Sequence, residues 1–415
     1  MVADYYARTT CRLCEGADLE HVLHLTPTPP GNNFLRADQL DEPEPTYPLE
    51  LYFCKTCFHV QLGHVVRPDL LFRSDYFYVS GTSSSFVDHL RDYTKEVVRR
   101  FNLQPGSLIG DIGSNDGTCL RFFKEAGMRV LGIDPAANLA KRATEAGIET
   151  LAEFFDAECG RRLRERYGPA AFVTSHNACA HIDDLAGVLE GVKHWLVDGG
   201  LFGIEVGYLL DVYQNTLFDT IYHEHLDYHS VAPLDRFFAS RGMQLVSAER
   251  VRPQGGSIRL IARKSQDSRV ARTGVDPLID LERSAGLHRA DTFRAYQERI
   301  DGVRAGLSKL VRGLKAEGKS IAAFGAPTKS TTLLTQLDLG DGLLDFIVDD
   351  NPLKQGLFSP LFHIPVLAPA EVYQRRPDFL VILAWNFAEP IMQKHARYRA
   401  EGGRFILPLP EPRIV

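Results

Sequence analysis

The stretch Leu108-Ile109-Gly110-Asp111-Ile112-Gly113-Ser114-Asn115-Asp116-Gly117 decides how the rest of the chain reads. It runs from a short apolar strand into a turn crowded with glycine and small polar residues, and a helix is expected to begin near Thr118. Such a turn lets the backbone approach a ligand closely. Downstream, the apolar run Val130-Leu131-Gly132-Ile133 ends in Asp134. In a doubly wound sheet an acidic residue at the end of the second strand faces the first glycine turn, where its carboxylate can accept both hydroxyls of a ribose. The pair points to a bound nucleoside.

Two kinds of nucleoside-binding fold share that layout. The dinucleotide fingerprint G-x-G-x-x-G is absent, because the glycines stand at Gly110, Gly113 and Gly117 and Asp111 lies inside the turn. A carboxylate there repels a pyrophosphate and suits a cationic, amino-bearing ligand. The form G-D-I-G-S-N-D-G resembles the S-adenosylmethionine (SAM) turn of class I methyltransferases. An ordinary strand-to-helix turn is the plain alternative, and Asp134 counts against it. Asp111, Gly113, Asn115, Gly117 and Asp134 are therefore the cofactor-binding candidates. Phe154 and Phe155 follow where an adenine could stack, and Phe155 joins the set. The strand Ala171-Phe172-Val173-Thr174 ends in Ser175-His176-Asn177, which brings Asn177 to the ligand face by the carboxyl-end rule for open sheets.

Upstream, Cys11-Arg12-Leu13-Cys14 and Cys54-Lys55-Thr56-Cys57 form two C-x-x-C pairs. Four thiolates at this spacing close a tetrahedral zinc site with no open position, so Cys11, Cys14, Cys54 and Cys57 are expected to hold a structural metal. A redox C-x-x-C is the rival, but neither pair opens a helix after a strand. A module this small needs a metal staple. The remaining three of the seven cysteines are scattered and read as small core residues.

At 415 residues the chain exceeds a single core. We expect an α/β protein in three parts: an N-terminal zinc-binding module (1–70), a central Rossmann-like SAM domain (71–265), and a helical connection leading to a C-terminal Rossmann-like domain (266–415). The net charge of −6 argues against a large electrostatic footprint for nucleic acid. The N-terminus lacks a charged-then-apolar signal pattern and no run approaches a membrane span, so a cytoplasmic protein without a membrane partner is expected.

Between module and turn lies Tyr76-Phe77-Tyr78-Val79-Ser80-Gly81-Thr82, followed by a helical stretch near 86–101. Its hydroxyls, those of Tyr78 and Thr82 among them, could touch a ligand above the sheet; packing between domains is the blander reading. The densest chemical cluster is Tyr222-His223-Glu224-His225-Leu226-Asp227-Tyr228-His229. Three readings stay open for it: a metal site, histidines solvated on a helix, and acid-base work, to which imidazole is suited near neutral pH. A helical pattern over about 276–315 opens with Asp276 as N-cap and Pro277 in the first turn. A second α/β unit begins at Ser320 and contains Gly325-Ala326-Pro327-Thr328-Lys329-Ser330. That loop lacks the glycine before lysine of a phosphate loop, while a helix N-terminus could still bind phosphate.

In this order the motifs resemble the sugar C-methyltransferases of antibiotic deoxysugar pathways along the full length. The resemblance implies methyl transfer from SAM to C-3 of a dTDP-4-keto-deoxy(amino)sugar through a base-generated enolate. It carries over His225 as the base, with Tyr76, His181, Tyr222 and Glu224 around the sugar. Glu224 would orient His225 or raise its basicity, and Tyr222 or Tyr76 would donate to the enolate oxygen. A dTDP-sugar would lie in the cleft between the last two domains, with Thr328 and Lys329 toward its pyrophosphate. The implied partner is this small nucleotide sugar; no protein partner is implied. An O- or N-methyltransferase, and a zinc-containing nucleic-acid-binding module with a degenerate SAM fold, are the competing readings.

Overall fold

The computed structural model describes residues 3–71, 79–264, 271–340 and 342–415. Tyr76 and Tyr78 lie outside the described residues. The strand Leu108–Ile112 is buried at every position, as a continuous apolar run requires when helices cover both faces of a parallel sheet. It sits mid-sheet. Across the central seven-stranded sheet the order is Thr150–Leu151, Arg129–Ile133, Leu108–Ile112, Ala170–His176, Leu196–Gly207, Ser257–Arg263 and Gln244–Val251. The first five run parallel, and Ser257–Arg263 lies antiparallel to both neighbours. Chain order reverses direction between Leu108–Ile112 and Ala170–His176, which opens a crevice at their carboxyl ends.

The C-terminal unit repeats the principle with six strands, ordered Val366–Leu367, Ile347–Val348, Ile321–Phe324, Phe379–Ile382, Arg404–Leu407 and Arg413–Ile414. All but the last are parallel. The N-terminal module is built on Leu19–Thr28, Tyr47–Cys54 and Val60–Leu62, and its fourth strand, Asp227–Tyr228, comes from the histidine-rich segment.

Two helical expectations change. The helix expected to open on Asp276 begins at Val275, with Gly274 as its N-cap at φ +75°, which places Asp276 and Pro277 inside the first turn. The pattern over 276–315 is two helices, Val275–Ser284 and Ala290–Ala316. Gly286, at φ +80°, turns the chain between them, and Thr292 Oγ1 donates to its carbonyl at 2.7 Å. The longer helix docks on the module through Phe293 against Phe53 and Gln297 Oε1 accepting from the His24 amide. No helix among the described residues is long and apolar enough to cross a membrane.

Candidate active site

The carboxyl ends of the central strands open into a cavity of about 390 Å³, whose wall is completed by the histidine-rich segment and by the loop at Thr328 and Lys329. At one end lies the glycine turn. Gly113 adopts φ +73°, and a Cβ there would meet Ala178 Cβ at 2.5 Å, so only glycine fits. The Asn115 amide donates to Asp134 Oδ2 at 2.8 Å and the Ala136 amide to Oδ1 at 2.9 Å. Asp134 is thus fixed by two backbone donors, and each oxygen keeps a lone pair for a ribose hydroxyl. Gly113, Asn115, Asp134, Phe155 and Asn177 all line the cavity. Asp111 and Gly117 shape the turn from beneath and are absent from that wall. Asp111 is buried with Oδ1 unpartnered, and burial, then Asp134, pushes its pKa well above the usual carboxylate range. A nearby cationic amino group would relieve it. Gly117, at φ +75°, starts the helix Thr118–Glu125.

Aromatic stacking is divided between two neighbours. Phe155 is buried against Trp195, ring centres 6.1 Å apart, whereas Phe154 stands 61% exposed at the cavity wall. His176 was not singled out from sequence. It lines the same wall, its two ring nitrogens are unpartnered, and burial lowers its pKa to about 4.

At the other end, Tyr222 Oη lies 2.7 Å from His225 Nε2, and His225 Nδ1 lies 2.9 Å from the Thr220 carbonyl. A carbonyl only accepts, so Nδ1 carries the proton and Nε2 holds the lone pair, receiving the Tyr222 hydroxyl. Burial, then the neighbouring His181, drives the His225 pKa well below 6.5, leaving the ring neutral at pH 7. His181 packs edge-on at 5.0 Å, its own pKa lowered by burial to about 4. The Thr220 carbonyl therefore orients the His225 ring. Glu224 is buried, accepts from Asn32 Nδ2 of the module at 3.0 Å and lies 4.0 Å from His181 Nδ1.

The remaining histidines are neither solvated nor on a helix. His223 Nε2 meets the Tyr47 carbonyl at 3.1 Å, His229 Nε2 meets that of Cys179 at 3.3 Å, and both rings are buried. Each histidine of the segment thus serves a different carbonyl, and among the described residues they do not converge as metal ligands. Thr328 and Lys329 reach the cavity. Lys329 Nζ is already 3.2 Å from Asp219 Oδ2 and 4.1 Å from the Trp385 ring centre. Thr82 does not join this wall: it is exposed and its hydroxyl turns back to the Val79 carbonyl. The neighbouring Ser80 lines the cavity instead, its amide donating to Asn115 Oδ1 at 2.9 Å.

The four module cysteines bring their sulfurs within 4.8 Å of one another. Cys11 to Cys57 and Cys14 to Cys54 are each 3.5 Å, close to the edge of roughly 3.8 Å set by tetrahedral zinc–sulfur bonds. The hydrogen bond with Cys11 first, then burial, pushes the Cys57 thiol far upward. A divalent cation is what allows all four to ionise, so the donor set fits zinc.

This strand order, glycine turn and acidic partner define a class I SAM-dependent methyltransferase carrying a zinc module. Family models agree: residues 11–72 match a "Putative zinc binding domain", 85–248 a "Methyltransferase domain" and 252–410 a "C-methyltransferase C-terminal domain". The C-methyltransferase NovU of Streptomyces niveus is 38% identical over 405 residues, 98% of this chain and 96% of that one. The chain belongs to this C-methyltransferase family. Phosphoethanolamine N-methyltransferase 1 of Zea mays is 32% identical over 112 residues, covering 26% of this chain and 22% of that one. Magnesium protoporphyrin IX methyltransferase of Synechocystis PCC 6803, solved with bound SAM, aligns at a TM-score of 0.34 and 14% identity over 43% of this chain and 79% of that one. That likeness is too slight to bear on the site.

Proposed function

We propose that the chain transfers a methyl group from SAM to C-3 of a dTDP-4-keto-deoxyaminosugar by way of an enolate, with His225 as the base. The observation that carries this reading is the Tyr222–His225–Thr220 chain of hydrogen bonds in the same cavity as the glycine turn. When bound, SAM supplies a sulfonium methyl that a carbon nucleophile can take. A carbon beside a ketone is acidic because its carbanion delocalises onto the carbonyl oxygen. His225 Nε2 takes that proton while the Tyr222 hydroxyl turns from Nε2 to the developing enolate oxygen, a pairing of base and oxyanion donor. Burial keeps the imidazole unprotonated at the start, and the negative charge growing beside it raises its proton affinity as the reaction proceeds. Glu224 and His181 shape the sugar end, and an amino substituent on the sugar would find the Glu224 carboxylate. The pyrophosphate would lie toward Thr328, with Lys329 balanced by Asp219.

Deuterium exchange at the carbon beside the ketone, followed by NMR in the presence of the demethylated product of SAM, tests this reading. Exchange that disappears in His225→Asn, with kcat for methylation lowered by about 10²–10⁴, supports it. Methyl appearing on oxygen or nitrogen without carbon exchange would replace it with O- or N-methylation.

A further inference from the structure

The first zinc knuckle and the chain just beyond the second each send a buried side chain onto the segment that holds His225. Arg12 lies between the cysteines of the first knuckle, and its side chain is 0% exposed. Its Nη1 donates to the carbonyls of Leu62 at 2.8 Å and Leu226 at 3.2 Å, and its Nε donates to Asp183 Oδ1 at 2.8 Å. Leu226 follows His225, and Asp183 lies two residues past His181. His59, two residues beyond the second knuckle, places Nε2 2.6 Å from Asp227 Oδ1, both side chains fully buried. The backbone continues the grip. The Leu62 amide donates to the Leu226 carbonyl at 2.8 Å, the Leu226 amide to Ala180 at 2.7 Å, and Asp227–Tyr228 pairs with Val60 and Gln61 as a strand. Gln61 in turn accepts from the Arg12 amide at 2.8 Å through its side-chain oxygen.

We propose that Arg12 and His59 are positioning residues, through which the zinc module fixes the register of residues 220–229 and hence the single tautomer of His225. The physical case is geometric. The His225 segment is a turn followed by a two-residue strand, too short to hold a side chain to the sub-ångström tolerance that proton transfer from carbon requires. Its two buried side-chain anchors, Arg12 and His59, come from the metal-closed module more than 150 residues away in the chain. Arg12 is suited to the task because its planar fork places Nε on Asp183 and Nη1 on two carbonyls, a fixed spread of donors that a lysine, with all its donors on one terminal nitrogen, does not offer. The proposal rests on His225 being the base, so its test includes a readout of the ring that is independent of turnover.

Arg12→Lys and His59→Gln are each made in the full chain; if one fails to fold, the other decides. Zinc content, SAM affinity by calorimetry, kcat and KM for methylation, and the ¹⁵N spectrum of histidine-labelled protein are measured, the His225 signals being assigned by their loss in His225→Asn. The expected result is one zinc per chain, SAM affinity within twofold of the parent, kcat lowered by about 10-fold or more, and His225 signals moved from a single Nδ1–H tautomer toward a mixture. Unchanged signals and a kcat within twofold of the parent in the folded variants overturn the proposal. So does a kcat loss matched by loss of zinc and SAM affinity, which marks these residues as supports of the fold alone. If His225→Asn itself keeps full activity, the base assignment fails, while the ¹⁵N spectra of the variants still decide whether the module sets the ring's tautomer.

Discussion

His225 keeps its lone pair on Nε2 because a backbone carbonyl, that of Thr220, claims the proton on Nδ1. The adjacent Tyr222 hydroxyl is then the group whose removal discriminates best. In Tyr222→Phe the base keeps its tautomer but loses the proposed donor to the enolate, and kcat should fall by about 10²-fold or more while SAM affinity holds; steady-state kinetics with parallel calorimetry checks it. The pH–rate profile follows from the same environment. Because burial holds the His225 pKa well below 6.5, kcat/KM should stay level as pH falls from 8 to 6.5. Its acid limb should appear only below the ordinary imidazole range. An acid limb centred at 6.5 or above would show that the titrating base is not an imidazole depressed by burial.

At the scale of elements, the central sheet depends on contacts that only glycine permits. The helices Ala157–Tyr167 and Leu185–Trp195 cross where Gly160 meets Gly191: a Cβ on Gly160 would lie 2.1 Å from the Gly191 carbonyl oxygen. Backbone cannot yield as a flexible side-chain tip can, so Gly160→Ala should cost about 1–3 kcal/mol of stability by overpacking. The loss would appear as a lower Tm, with kcat at low temperature little changed. Gly113→Ala belongs to the same class with a different readout. Its φ of +73° and the 2.5 Å clash with Ala178 distort the turn that faces the cofactor. SAM affinity should drop by more than tenfold by calorimetry, before any loss of zinc.

Over the whole molecule, buried histidines set the response to acid. Burial lowers His176, His181, His223 and His229 from 6.5 to about 4. Below pH 6.5 the unfolded chain binds protons that the folded chain refuses, so stability present above pH 6.5 is lost as pH falls toward 4. Each such group contributes up to about 1.4 kcal/mol per pH unit in that window. A steep fall of Tm between pH 6.5 and 5, with little change from 6.5 to 8, is the expected thermal profile. Two of them, His176 and His181, line the cavity, so part of the acid sensitivity arises where a charged ligand is to be received.

The sequence by itself determined the parts whose signals are local. Two C-x-x-C pairs, the turn from Gly110 to Gly117 and an acidic residue ending the next strand lie within short windows, where spacing and periodicity carry the information. The order of modules and the cavity end at Gly113, Asn115 and Asp134 could be read from them. Tertiary structure alone decided the rest. That Thr220 orients His225, that Asn32 of the module holds Glu224, and that Arg12 reaches Leu226 across 214 residues leave no periodic trace. The first depends on an irregular turn and the other two on where the module packs against the histidine-rich segment, and no periodic pattern encodes either. The same reason moved Thr82 off the wall and brought His176 onto it: which face a loop residue presents is set by what packs against the loop, not by its neighbours in sequence.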